Sequence, residues 1–388
     1  MLDKSNLSEK ALFSFQTIEN HFKHAKDYRR PGSVKHQLLH ILFFTLCAVT
    51  AGANDLVGVH TWIEANKAWL HELFKLEHGV PSLSTLRITY MLLDPVSLSE
   101  CFAKWVKEMI GRRNLRSICI DGKAQRATAL PGKPNSFVHI VSAWATGHGL
   151  TLGQQKVDGK SNEITAIPKL LDLIDIKGTV ITIDAMGTQK NIAEKIVDKG
   201  ADYILALKGN QSTLNDEVEN FFEQVIKYGD PSTDFHKFEV EEKGKGRHEI
   251  RRIYTATESI FLEDYKLRWK GLSTIICIES ETTKKEVASK ERRYYISSLQ
   301  KTPEEIGLLI REHWGIESTH WILDVAFRED NLTARAGNIT ENLSLIRRIS
   351  LNYLSKEKSI KLGTANKRLK AAYDKGYLLK VLGVKSFS

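Results

Sequence analysis

The chain has 388 residues, 42% of them hydrophobic, enough for two or three folded units with a sizeable core. Lysine and arginine outnumber acids 56 to 47, giving a net charge of +9; this excess suits a polyanionic partner, although a solvated basic surface would look the same. The longest uncharged apolar stretch, 41–53, is too short to span a bilayer. The opening MLDKSNLSEKALFSF carries acids and lacks the apolar centre of a signal peptide, so a cytoplasmic location without membrane partners is expected. Cys47, Cys101, Cys119 and Cys277 form no CxxC pair, which argues against a zinc site or a disulfide framework.

Residues 1–112 read as helical. Apolar side chains recur at helical spacing through Leu38, Leu39, Leu42, Phe43 and Leu46, then through Leu56, Val59, Trp62, Ile63, Trp69 and Leu70. Ser82 or Ser84 caps a further helix that Asp94-Pro95 ends, and 97–109 forms an amphipathic helix.

The pattern changes near Asn114. Residues 117–121 read as a short buried strand, and 137–145 and 150–157 as two more joined by a turn at Gly147-His148-Gly149. Then follow a helix over 162–174, a strand over 179–184, a helix over 189–199, a strand over 203–207 and a helix over 212–228. From about 235 to 299 the pattern is β-rich, with strands at 237–241, 249–257, 272–280 and 293–298, and reads as an insertion. Helix resumes near Pro303 and runs past Trp321; a last helix covers 338–354. The segment from Lys356 onward holds nine lysines and arginines against two acids and reads as a basic tail.

Two acids close apolar runs. Asp121 follows Ser117–Ile120 and Asp184 follows Thr179–Ile183. A carboxylate ending a hydrophobic strand is costly unless something positive meets it. If the intervening hairpin lies to one side, the two strands are parallel neighbours, and ligands gather at the carboxyl ends of such strands. Either aspartate could instead cap a turn or helix. Glu317 lies in the helical HWGIESTHWILDVAF, where His313, Glu317, His320 and Asp324 share one face. Glu312, Asp324, Glu329 and Asp330 are rival acids. Two strand aspartates and a helical glutamate suggest a carboxylate site for divalent Mg²⁺ or Mn²⁺ serving phosphoryl transfer. Lys123 and Lys208 could touch a DNA backbone or belong to plain turns. The basic stretch 243–252, with Lys245, Arg247 and Arg251, reads as a hairpin gripping phosphates. Trp269 could stack on a displaced base, though a core role is the plainer reading. His139 and His148 read as structural. The absence of a phosphate-cradling glycine loop leaves no nucleotide cofactor to expect.

The strings SICIDGK, HIVSAWATGHGLTLGQQKV, KSNEITAIPKLL, ITIDAMGTQ, ADYILALKGNQ, RRYYISSL and REHWGIESTHWILDVAFRED resemble a DDE-type insertion-sequence transposase of the ISAs-type subfamily, which includes the H-repeat-associated proteins. The resemblance covers nearly the whole chain. It implies an α/β fold with an RNase H-like core (a mixed sheet flanked by helices), a β-rich insertion and an N-terminal helical domain. The implied division is 1–112 for DNA-end binding or assembly, 113–230 and 301–355 for the catalytic core, 231–300 for the insertion, and 356–388 for the basic tail. The acids of DGK, DAMGTQ and HWGIES are Asp121, Asp184 and Glu317, expected to hold the metal ions. Double-stranded DNA, both element ends and target, is the implied partner, with a homodimer in the active assembly. The wider group carries Tyr, Arg and Lys around its glutamate; those places hold Ile310, His313 and Asp324 here. His313 could still donate to a phosphate, with Arg311 close by. A nuclease that does not join strands, or a silent DNA-binding descendant, would share these features.

Overall fold

The protein was analysed as a computed structural model, which describes the chain except for residues 1–3, 112–114, 134–135, 159–160, 230–233, 245–246, 258–259, 285–286 and 384–388. Six helices lead: α1 (Lys4–Phe22), α2 (Leu38–Thr50), α3 (Leu56–Ala65), α4 (Lys67–Phe74), α5 (Leu83–Leu92) and α6 (Pro95–Ile110). Every residue of α2 from Ile41 to Thr50 is buried. A helix apolar all round belongs in a protein interior, and no described helix is long and apolar enough to cross a membrane. Ser82 accepts from the Thr85 N–H to cap α5, and Asp94 accepts from the Ser97 N–H to cap α6, with Pro95 in its first turn.

The strands and helices that follow are β1 (Ser117–Gln125), β2 (Val138–Ala145), β3 (Leu150–Lys156), α7 (Glu163–Leu173), β4 (Val180–Ile183), α8 (Lys190–Asp198), β5 (Asp202–Leu207) and α9 (Ser212–Tyr228). Next come β6 (Phe235–Gly244), β7 (Arg247–Ala256), α10 (Ile260–Lys266), β8 (Thr274–Lys284) and β9 (Val287–Ser297). The chain closes with α11 (Pro303–Phe327), α12 (Ile339–Lys356), α13 (Thr364–Tyr373) and α14 (Lys375–Leu382). One sheet of nine strands runs β3-β2-β1-β4-β5-β9-β8-β7-β6. β1, β4 and β5 are parallel, while β2 and β3 run antiparallel beside β1. This is the expected RNase H-like mixed sheet, with the β2–β3 hairpin on the side away from β4.

Several expectations change. β1 does not stop at Asp121: antiparallel pairing with β2 continues to Gln125 opposite Val138, while parallel pairing with β4 ends at Ile120 opposite Ile183. Asp121 therefore sits inside a strand, at the step where one neighbour falls away. The β-rich segment extends the same sheet, because β9 pairs with β5 from Ile204–Ser297 to Leu207–Tyr294. It also carries a helix, α10, that periodicity did not reveal, and Trp269 after it is only 1% exposed; that tryptophan is core, not a base-stacking platform.

The basic tail is no tail. Residues 364–382 form α13 and α14, which bury Ala371, Tyr377, Leu378, Leu379, Val381 and Leu382. Two of its cations turn inward. The Lys367 ammonium donates to the Leu354 carbonyl at 2.8 Å, and the Arg368 guanidinium donates to the Val49 and Ala53 carbonyls, both at 2.8 Å from Nη2. Charge counting cannot separate such internal cations from a solvated arm. A single hydrophobic cluster joins α2, α5, α6, α12 and α14 to β1 through β5, so the leading helices share the sheet's core.

Candidate active site

Ile120–Ile183 is the last parallel pair between β1 and β4. The next residues on the two strands are Asp121 and Asp184, which brings the two carboxylates side by side where β4 ends beside the middle of β1. Asp184 is extended (φ −70°, ψ 176°) and precedes a one-turn 3₁₀ helix at Ala185–Gly187, yet its side chain makes no capping bond. Its Oδ1 is buried without a hydrogen-bond partner. Burial pushes the Asp184 carboxyl up to about 6; the charges of Glu163 and Asp121 push the same way, and the Gly187 and Met186 N–H groups pull back in part. A buried carboxylate oxygen without a hydrogen-bond partner, near enough to two other carboxylates to feel their charge, has the donor chemistry of a hard divalent cation site.

Asp121 is held differently. Burial raises its carboxyl, but the bond and charge of His320, the charge of His313 and the Gly122 N–H outweigh it, so the net displacement is downward. His320 Nδ1 lies 3.4 Å from Asp121 Oδ2, and the Gly122 N–H donates to Oδ1 at 2.8 Å.

α11 delivers the third acid. Its start is fixed by a capping box between Thr302 and Glu305, with Pro303 in the first turn. Two glycines let it press on the sheet: a Cβ on Gly307 would sit 2.8 Å from Ile253 Cγ1, and one on Gly315 would lie 2.5 Å from the Trp144 ring at Cη2. The helix then runs along β1. Cys119 Sγ approaches the Glu312 carbonyl at 3.7 Å, His320 meets Asp121, and Lys123 Nζ pairs with Asp324 Oδ1 at 2.6 Å. His313 Nδ1 bonds Thr182 Oγ1 at 2.8 Å, two residues before Asp184. Glu317 lies between His313 and His320 on that face, exposed and without a partner among the described residues.

The rival acids are engaged elsewhere. Glu312 accepts from Ser117 and Thr146 at 2.7 and 3.1 Å. Asp324 holds Lys123. Glu329 is fully buried against Arg348 at 2.9 Å, and Asp330 accepts the Arg126 N–H at 2.5 Å. Among the described residues no three His, Cys, Asp or Glu side chains close around one metal position. Asp121 and Asp184 approach one another while Glu317 stands aside. A cleft of about 1510 Å³ between α6, β3 and α7 contains none of the three.

Comparison with known proteins settles the lineage. The profile described as Transposase DDE domain matches residues 112–353, and its companion, DDE_Tnp_1-associated, matches 19–106. The chain belongs to the DDE transposase family. It is 38% identical over 370 residues to the "H repeat-associated putative transposase YhhI" of Escherichia coli K12, covering 94% of this chain and 97% of that protein. It is 39% identical over 373 residues to the "Putative transposase YncI" of Escherichia coli O157:H7, covering 95% of each.

The transposase presents its basic candidates unequally. Lys123 is buried and neutralised by Asp324, so it is not offered to a DNA backbone. It nonetheless puts an ammonium beside the position where the wider group carries lysine. His313 is tied to Thr182, and burial lowers its imidazole despite the pull of Asp121; it is not a free phosphate donor. Arg251 is paired with Glu249, and Arg252 with Glu239, Glu279 and Glu281. The β6–β7 ribbon is thus laced with acids at cross-strand positions and is a weaker phosphate grip than its arginines alone suggest. Lys245 and the Arg247 side chain lie outside the described residues. Lys208 is exposed beyond β5, and Arg311, half-exposed, leans on Glu242 at 2.5 Å. Sequence reasoning placed His320 on the face of Glu317 without assigning it a role, and passed over Glu163, the first residue of α7 in KSNEITAIPKLL.

Proposed function

We propose that Asp121, Asp184 and Glu317 hold the Mg²⁺ or Mn²⁺ ions with which this transposase cuts an element end and joins it to target DNA. Members of the DDE transposase family work with divalent metal ions, and the residues here fit one in donor type: hard oxygens, one of them buried and unpartnered. The observation that carries the reading is the register, which sets Asp121 and Asp184 one step past Ile120–Ile183, beneath the helix bearing Glu317.

Bound there, divalent ions would supply activation of the attacking oxygen and charge relief at the leaving one. The chain supplies the frame. Asp121 and Asp184 are positioned by the sheet, whereas Glu317 is exposed and has no partner among the described residues. Exposed Trp314 and Trp321 flank Glu317 on α11, and Arg293 lies over the Trp314 ring at 5.2 Å. This aromatic, cationic surface suits DNA laid across the carboxylates. Lys208 and Arg311 are the basic side chains best exposed to meet the backbone. Pairing two element ends calls for at least a dimer in the active assembly, working in the cytoplasm where the DNA is.

The test uses duplexes carrying the inverted repeats that flank the gene. The wild-type protein should nick such an end with Mg²⁺, and should join a precleaved end to a second duplex. Asp121→Asn should reduce both by on the order of 10³-fold or more, as expected when a group acts in the transition state. Full activity in that variant would remove Asp121 from the metal site. Nicking without joining would reduce the enzyme to a nuclease.

A further inference from the structure

The opposite face of β1 brings up another carboxylate. Side chains alternate along a strand: Asp121 and Lys123 meet α11, so Gly122 faces α7. A Cβ on Gly122 would overlap Glu163 Oε1 and sit 2.5 Å from His139 Nε2. The missing side chain is what lets Glu163 reach the strand right beside Asp121. Glu163 is 6% exposed, and its Oε1 lies 2.8 Å from His139 Nε2 on β2. Asp184 Oδ1, one step past the Ile120–Ile183 pair, is likewise buried and unpartnered.

We propose that Glu163 is a fourth carboxylate of the metal pocket, supplied by α7 from the far side of the sheet and aimed by His139. The inference rests on the reading that Asp121 and Asp184 hold the ion. It explains why a glutamate is buried among acids with only one imidazole for company, an arrangement that costs stability unless a cation joins it. It also explains the placement of His139, whose imidazole, when protonated, pairs with the carboxylate and fixes where it lies.

The alternative is a plain ion pair tying α7 to β2. Mn²⁺ binding to the full chain, followed by electron paramagnetic resonance of the free ion, separates the two. Glu163→Gln keeps the size and hydrogen-bonding capacity of the side chain. It should weaken Mn²⁺ binding by about tenfold or more while the unfolding midpoint in EDTA stays level or rises. Wild-type affinity in a folded Glu163→Gln protein would overturn the proposal. Asp121→Asn is the companion arm: if it loses affinity while Glu163→Gln does not, only this inference fails, and if neither loses it, the underlying site fails too. Should Glu163→Gln not fold, Glu163→Asp keeps the charge near His139 but withdraws it by one methylene. Weaker binding then supports the proposal and unchanged binding overturns it.

Discussion

Asp184 shows most clearly that this molecule gives up stability for its site. Its carboxyl titrates near 6, above its usual 3.8. A folded-state value above the unfolded one means that the native protein holds this proton more tightly. The group therefore costs nothing below about pH 4, and its full penalty is present above about pH 6. Asp184→Asn should raise the unfolding midpoint in EDTA near pH 7.5 by roughly 2–4 °C, and by less near pH 5. Calorimetry at the two pH values checks this; a lower midpoint near pH 7.5 would show that the carboxylate has a partner after all. Both strand aspartates were legible in the sequence because each closes an apolar run. Glu163 was not, since it opens an ordinary helix, and only the missing Cβ of Gly122 reveals it; His320 was placed on the right face, but its contact with Asp121 comes from the crossing of α11 over β1.

Among the elements, α11 decides whether the site can form. Its first half rests on the β-rich segment through Ile306, Leu309 and Ile310, and its second half lies over β1. Of the two α11 glycines that press on the sheet, Gly315 makes the closer approach, against the Trp144 indole. Gly315→Ala should cost about 1–3 kcal/mol and lower end cleavage more than DNA binding, because the displaced helix carries Glu317. Thermal unfolding and a gel-shift assay measure the two effects; unchanged stability would mean that the helix shifts freely. Apart from α10, the order of elements from α5 to α12 was readable from apolar periodicity, with Ser82 marking a helix start and Pro303 the start of α11. The end of β1 was misread because Asp, Gly and Lys at 121–123 look like a turn, whereas pairing with β2 carries the strand through them. The ribbon arginines were overvalued because each has an acidic partner: Glu249, two residues away on the same strand, for Arg251, and Glu239, Glu279 and Glu281 on the neighbouring strands for Arg252.

At the scale of the whole molecule, the two ends of the chain close on each other. Arg368 binds carbonyls at the end of α2 and stacks over Phe327 at the end of α11, 4.2 Å from the ring centroid. Arg348 and Glu329, both fully buried, link α12 to the segment after α11. Removing residues 364–388 should therefore leave a protein that aggregates or unfolds at lower temperature, whereas deletion of a solvated DNA-binding arm would leave the midpoint unchanged; differential scanning calorimetry of the truncated chain distinguishes the two. The overall charge pointed correctly towards DNA, the partner of the family, but its location in the sequence misled, because buried and exposed lysines count alike.

The central claim, that Asp121, Asp184 and Glu317 converge on one ion site, is tested most directly by bound Fe²⁺ used as a local source of hydroxyl radicals, with the protein on its element-end DNA. The account predicts backbone cuts near residues 121, 184 and 317 together, suppressed by Mg²⁺ and lost in Asp121→Asn. Cuts confined to one of the three segments, or unaffected by Asp121→Asn, would contradict it.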